Sequence, residues 1–286
     1  MISILNTLGL KSYFLGRLQY VPPGIIVIFT LALILVPLAT LVFFSFRSGT
    51  PWEPGSLTLD NYINAYSDPQ TYTIFFNTAV MAVFSTVISV VVAVFFAYLT
   101  ERTDLPFRNL AWGLMLIPMA MPGLLFAVSW TFLLSPQIGI FNVWLREIFS
   151  WFGFIISSGP FNIYGGMAYM IFLEGLRGVT TAFLIIVGGV RAMDPSLEEA
   201  ARASGASNLT TQFRISLPLL TPIILAATIY SFMTHLESLE IPIIIGLPAK
   251  IFVFPSYIFF TTQRYTPPEY GLSSALSTVF LLLSIL

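Results

Sequence analysis

Few residues in this sequence could do chemistry, and most of those fall into three groups. Glu174 and Arg177 stand three residues apart inside an otherwise apolar run, the spacing at which an acid and a base on one helix face neutralise each other. Ionisable groups at such depth face a cavity or a protein interior, so the pair reads first as a local ion pair and second as part of a substrate path. Glu237 and Glu240 share a face, follow His235 and precede Pro242, so the chain is expected to fold back there. Two carboxylates attract a hard cation such as iron(III) but do not make a selective site, and a gate or helix-capping role is the stronger reading. His235 reads as a satisfied interior side chain, and no metal site is predicted. The third group, Glu198, Glu199 and Arg202, lies in the polar stretch from Asp194 to Pro218.

None of these groups makes an enzyme. With no cysteine and one histidine, the 286-residue chain has no thiol nucleophile, disulfide framework or multi-histidine metal cluster. There is no G-x-x-x-x-G-K-[ST] phosphate loop, so any ATP must be bound and hydrolysed on another subunit. A net charge of -1, with Lys11 and Lys250 the only lysines, gives no basic patch for nucleic acid.

The elements that must hold these residues are membrane helices. At 57% hydrophobic and 9% charged, the chain has too little polar surface to cover a water-soluble globule. The uncharged run from Gly24 to Phe46 is too long for the apolar region of a cleavable signal, and reaches roughly 35 Å at helical rise. Further spans are expected at Ile74 to Leu99, Leu110 to Leu134, Gly165 to Val190, Leu219 to Leu236 and Gly271 to the end, six helices in all. The last run stops short of a full crossing, so the sequence is expected to end within an element of a longer protein. Pro37, Pro118, Pro122 and Pro222 interrupt these spans and are expected to face a bundle or cavity, where a freed carbonyl can be satisfied.

Lys11, Arg17, Arg102, Arg108, Arg191, Arg202 and Arg214 fall on one side, and Arg47, Arg146, Lys250 and Arg264 on the other. The richer set is expected in the cytoplasm, with the N-terminal segment 1–23 and the loop 191–218. The outside then receives Arg47 to Thr73, Ser135 to Tyr164, where Ile140, Trp144 and Ile148 predict a short interfacial helix, and Glu237 to Tyr270. The many aromatic residues read as lipid-facing packing and interfacial anchors.

On the cytoplasmic side, Asp194 and Pro195 suit a helix start, Glu198 and Glu199 its positive end, and Gly205 a left-handed stop. Ser207 or Asn208 then caps a second short helix that enters the fifth span at Pro218. A hydrophobic chain that builds a capped polar helix on this face offers it to a soluble partner. Leu197 supplies an apolar knob, while Ala200, Ala201 and Ala203 permit close approach.

Glu199-Ala200-Ala201, Gly205 after three residues, and Ile215-Ser216-Leu217-Pro218 after nine more resemble the EAA loop of permease subunits in binding-protein-dependent ATP-binding cassette importers. The resemblance implies a type I importer permease fold, all-α, over residues 24–286. It also implies a coupling helix that docks on an ATPase subunit, with Glu198, Glu199, Ala200, Ala201 and Gly205 at the contact. Ile215, Leu217 and Pro218 would anchor the loop to the fifth span. The implied partners are two ATPase subunits holding ATP and Mg, a periplasmic or extracellular substrate-binding protein, and a second permease half; no cofactor sits on this chain. Arg102-Thr-Asp-Leu-Pro106, Ile117-Pro118, Met121-Pro122-Gly123, Glu237-Ser-Leu-Glu240-Ile-Pro242 and Ile245-Gly-Leu-Pro248 further resemble the first half of the tandem iron(III) permeases. That resemblance implies iron(III) as cargo and a second half on the same polypeptide, with polyamine, thiamine or phosphonate as alternatives. Glu174, Arg177, His235, Glu237 and Glu240 are then candidates for the pathway or its gate. An ion-gradient transporter is the reading from another class, but it has no need of the capped loop.

Overall fold

A computed structural model describes residues 21–263 and 268–285, all helices, turns and loops apart from an isolated antiparallel bridge between Arg47 and Leu57. Lys11, Arg17, Arg264 and most of the N-terminal segment lie outside the described residues. The chain divides into two compact units, one running Pro69–Phe259 and the other combining the chain before Pro69 with that from Phe260 onward.

In the smaller unit, α1 (Val21–Ser45) is an apolar helix, followed after a short loop by α2 (Asp60–Ser67). Asn61 clamps the junction, its amide donating to the carbonyls of Ser45 and Arg47 at 3.0 and 2.9 Å. The helix Tyr270–Ile285 packs on α1 and α2, and Gly271 lies so close to Asn61 that a Cβ would fall 2.5 Å from its Oδ1.

The larger unit is built on α3 (Pro69–Arg102). Next come α4 (Arg108–Ala120), α5 (Gly123–Leu134), α6 (Ile140–Trp151) and α7 (Met167–Ala192). The polar loop forms α8 (Ser196–Ala203) and α9 (Asn208–Thr211), and a π turn at Gln212–Ser216 leads into α10 (Leu217–Leu236). A second π turn at Pro242–Gly246 and α11 (Phe254–Gln263) follow, and Tyr270–Ile285 becomes α12.

Helices α3 and α7 pack along most of their length, with α10 against both. Lipid is as apolar as leucine, so contact between these helices rests on close approach and on polar groups that bond across the seam. The sequence supplies both. Ala82, Ser85, Ser89, Ala93 and Ala97 lie on the buried face of α3, where Ser85 approaches Gly175 and Ser89 approaches Gly178 on α7. Ser85 and Ser89 donate across the seam to the carbonyls of Ile171 and Gly175, at 3.0 and 2.6 Å.

Among the described residues four helices are long and apolar enough to cross a membrane, α1, α3, α7 and α10 with its lead-in from Asn208, and α12 is a shorter apolar helix. The expected third span differs. It breaks at Met121–Pro122 into α4 and α5, bent by 108°, because Pro122 has no N–H to continue the ladder and Met121 before it is extended. Pro37 and Pro222 instead lie inside continuous helices, and both are exposed on this chain rather than turned into its bundle. These helices, of 25 and 20 residues, run on through the proline, which has no N–H to give.

The short helix predicted between Ser135 and Tyr164 is present as α6, which turns Ile140 and Trp144 outward. Its anchor is Asn142, fully buried, whose amide donates to the carbonyls of Ser135 and Phe161. The fold-back after Glu240 is also present. Ile241, Ile245 and Val253 bury among Met81, Phe126 and Leu173 of α3, α5 and α7.

The α3–α7 seam has no room for a side chain at Gly175, where a Cβ would lie 2.7 Å from Cβ of Ile88. Gly175→Val should destabilise the membrane domain by about 1–3 kcal/mol, read as a lower unfolding midpoint in detergent, whereas an unchanged midpoint would contradict this packing.

Candidate functional site

Two sites emerge, one at the polar loop and one among the membrane charges. At the loop, the C-terminal ends of α3 and α7 converge. Arg102, the last residue of α3, donates to the carbonyls of Val190 and Met193 at 2.7 and 2.6 Å, which satisfies the open end of α7. Glu101 beside it accepts from Arg191 and Arg108 at 2.9 and 2.8 Å and from the Trp112 indole at 3.2 Å. Arg191 also stacks on the Trp112 ring.

Helix α8 starts where Asp194 accepts from the Ser196 backbone N–H at 2.9 Å; that bond and the Ser196 hydroxyl hold the Asp194 carboxyl below the usual carboxylate range. It ends in a Schellman motif. Gly205, at φ +87°, donates to Arg202 O, and Ala206 to Ala201 O. Ser207 then caps α9 by accepting from Thr210 N. Beyond it, Leu217 N donates to Gln212 O, one residue wider than an α turn, just before Pro218, which has no N–H to give.

The two glutamates of α8 have opposite fates. Glu199 is exposed, as are Ala200 and Ala203, and Leu197 stands half out of the surface. Glu198 is only 3% exposed and accepts from the Ser216 hydroxyl at 2.6 Å, with Arg102 and Arg202 at 3.9 and 3.7 Å. Glu198 therefore cannot meet a partner in this arrangement. It pins α8 to the end of α3 and the entry of α10, and so corrects its expected place on the contact face. Ala201, Ile215 and Leu217 are half-buried beneath the helix, while Gly205 and Pro218 are exposed.

Among the membrane charges, the expected ion pair between Glu174 and Arg177 is not formed. Arg177 instead forks onto Glu240, with Nη1 and Nη2 at 3.1 and 3.4 Å from its two oxygens. Glu174 faces His235 Nδ1 at 3.2 Å and accepts from the Ser238 hydroxyl at 2.8 Å. The other ring nitrogen of His235, Nε2, lies 3.1 Å from Ser89 Oγ. Helices α3, α7 and α10 thus meet at one buried histidine. Both Glu174 and His235 are buried, at 2% and 1% exposure, whereas Arg177 and Glu240 are part-exposed.

Glycine makes the cluster possible. A Cβ at Gly178 would lie 2.5 Å from His235 Cε1, and one at Gly123, the first residue of α5, 2.5 Å from Arg177 Nη2. The break at Pro122 therefore delivers backbone to the guanidinium. Two cavities open on the cluster. One of about 170 Å³ is lined by Pro118, Met121, Arg177 and His235, and another of about 480 Å³ by Arg177, Tyr230, Thr234, Glu237 and Glu240. Glu237 is exposed on the second. Sequence reasoning missed Ser89, Ser238, Gly123 and Gly178. Of these, Gly178, directly after Arg177 as Gly175 is after Glu174, was the readable signal. Among the described residues no group of three or more His, Asp or Glu could hold a metal.

Removing the Glu198 carboxylate orphans the Ser216 hydroxyl and frees α8. Glu198→Ala should cost this junction about 1–3 kcal/mol and speed hydrogen exchange in Ser196–Ala203 by about tenfold, while unchanged exchange would show that Glu198 does not pin the helix.

No family model matches the chain. Permease protein SmoG of the sulfoquinovosyl glycerol transport system of Agrobacterium fabrum is 32% identical over an alignment 297 positions long that covers 97% of this chain and 89% of SmoG. Permease protein UgpA of the sn-glycerol-3-phosphate transport system of Escherichia coli is 29% identical over 215 residues, 74% of this chain and 70% of UgpA. In structure, the chain is similar to one chain of a bacterial ABC transporter involved in import of the acidic polysaccharide alginate, with TM-score 0.75 and 17% identity over 96% of this chain and 92% of that one. That likeness concerns the fold. With the family set by SmoG and the fold by the alginate importer, this chain belongs to the permease subunits of ATP-binding cassette importers, multi-pass membrane proteins without an ATPase site of their own.

Proposed function

We propose that this chain is one of two permease subunits of an importer that moves a polyhydroxylated, glycerol-containing solute across the bacterial cytoplasmic membrane. The observation that carries the coupling half of this reading is α8, a helix finished at both ends whose inner glutamate, Glu198, is pinned to α3 and α10 while Glu199, Ala200 and Ala203 face outward. A surface held this firmly from behind and left small and polar in front suits docking in a cleft of a separate ATPase subunit, two of which bind ATP and Mg. ATP-driven closure of that pair would move α8, and Arg102 with Glu198 would pass the movement to α3, α7 and α10. Arg102, Arg108, Arg191, Arg202 and Arg214 favour the cytoplasm for this face, and with it a cytoplasmic N-terminus. A substrate-loaded binding protein would then dock on the opposite side.

The solute class is drawn from the relatives together with the cavity. The transport systems of SmoG and UgpA are both named for solutes that contain a glycerol unit. Glu237 and Glu240 as hydroxyl acceptors, Arg177 as donor, and Tyr230 and Thr234 beside them provide polar contacts for such a molecule. Iron(III) finds no support here. The relatives named are not metal transporters, and the described residues lack an oxygen-rich cluster of the kind a hard cation needs. SmoG and UgpA are likewise not named for polyamine, thiamine or phosphonate. The second permease subunit is proposed to be a separate chain. SmoG is matched along 89% of its length, and SmoH, a second permease protein of the same system, is itself 22% identical over 82% of this chain.

In the reconstituted complex, Glu199→Lys should lower solute-stimulated ATP hydrolysis by about an order of magnitude, equivalent to about 1.4 kcal/mol, and Gly205→Pro should abolish it, since proline cannot take φ +87°. Unchanged stimulation in both would remove the coupling assignment. For the cargo, binding protein loaded with a glycerol-linked sugar or glycerol phosphate should stimulate, and stimulation by iron(III)-loaded protein alone would overturn the solute reading.

A further inference from the structure

The hydrogen bonds around His235 fix where its protons are. Ser89 has one hydroxyl proton and two neighbours that could take it, Gly175 O at 2.6 Å and His235 Nε2 at 3.1 Å. A carbonyl oxygen can only accept, and two oxygens 2.6 Å apart without a proton between them repel, so the Ser89 proton belongs to Gly175. Nε2 must then be the donor to Ser89 Oγ. On the other side of the ring, Nδ1 lies 3.2 Å from Glu174 Oε1, and this contact also needs a proton. A neutral imidazole has only one N–H and has already used it. Ser238 cannot supply the missing proton, because its hydroxyl donates to the other carboxylate oxygen, Oε2, at 2.8 Å.

We propose that Glu174 and His235 together bind one further proton, held between Oε1 and Nδ1, and that this proton is the ligand that closes the junction of α3, α7 and α10. Whether it sits on nitrogen or oxygen, the pair is electroneutral with it and carries a charge of -1 without it. Once it leaves, a carboxylate oxygen faces a nitrogen lone pair. The ring cannot respond by moving its remaining proton to Nδ1, because Ser89 would then offer no donor to Nε2. The released proton has a way out, since Glu174 lines both cavities.

The other groups around the pair do not take over its role. From α7, Arg177 is engaged by Glu240. From the segment after α10, Glu237 faces the larger cavity and Ser238 is committed to Glu174. From α3 there is Ser89, and Pro118, Met119 and Met121 of the α4–α5 break add no titratable group. Import should therefore depend on pH through this pair, with the junction closed while the proton is bound and loosened as rising pH removes it.

His235 is the only histidine in the chain, so the test is clean. In the assembled importer in nanodiscs, with 15N-labelled histidine, the signals missing from His235→Gln belong to this ring. At neutral pH the account expects a proton on Nε2 together with a protonated or proton-accepting Nδ1. Raising pH should shift both signals in a single transition, and solute-stimulated ATP hydrolysis should fall across the same range. Glu174→Gln, whose amide gives Nδ1 a permanent N–H, should remove the transition from both readouts. Ser89→Ala provides a second arm: with no hydroxyl to receive it, the Nε2 proton should be lost and the ring should shift to the Nδ1–H form. A bare Nε2 in the native importer, the same transition in Glu174→Gln, or an unshifted ring in Ser89→Ala would each overturn the proposal.

Discussion

Inside a bilayer a polar group has no water to fall back on, and that single constraint organises this molecule. Ser85, Ser89, Glu174 and Arg177, placed between the helices, all find partners within the protein. The α3–α7 seam shows the result. Ser85 and Ser89 spend their protons on α7 carbonyls, and glycines bring the backbones near enough for those bonds to form. The Glu174–His235 pair is the same constraint applied to ionisable groups. It joins three helices because none of them alone could satisfy it.

The constraint relaxes at the membrane surface, and the polar loop uses that freedom. Charges there can be divided between holding and offering. Glu198, turned inward to Ser216 and the two arginines, holds. Glu199, one residue on and about 100° around the helix, is offered. Arg102 links the two regimes, closing the open carbonyls of α7 while lying against Glu198. A displacement of α8 is therefore a displacement of helix ends that run back to the buried histidine.

Much of this was legible in the sequence, because local rules dominate where the signals were read. The capped loop was readable from Asp194, Gly205 and Ser207, since caps and left-handed stops depend on residues within one turn. The amphipathic helix at Ile140 and the fold-back before Pro242 were readable for the same reason. The partners of the membrane charges were not. Glu174 and Arg177 lie three apart and could pair on one helix, yet each finds a better partner across the bundle, a choice that depends on crossing geometry. The third span read as continuous by hydropathy, although its Pro118 and Pro122 were visible, because hydropathy is blind to a missing N–H. The cargo was not legible from side chains: iron(III) followed from the resemblance to the tandem permeases, whereas Glu240, one of the two carboxylates near the pathway, is engaged by Arg177.

Coupling requires that the outer face of α8 meet the ATPase. The chain has no cysteine, so single cysteines can be placed along Ser196–Ala206 without background from this subunit. Thiol labelling with and without the ATPase subunits then reads the contact directly. The structure predicts protection by the ATPase at positions 199, 200 and 203, whose native side chains face outward. Equal labelling of the three outer positions with and without the ATPase would contradict it.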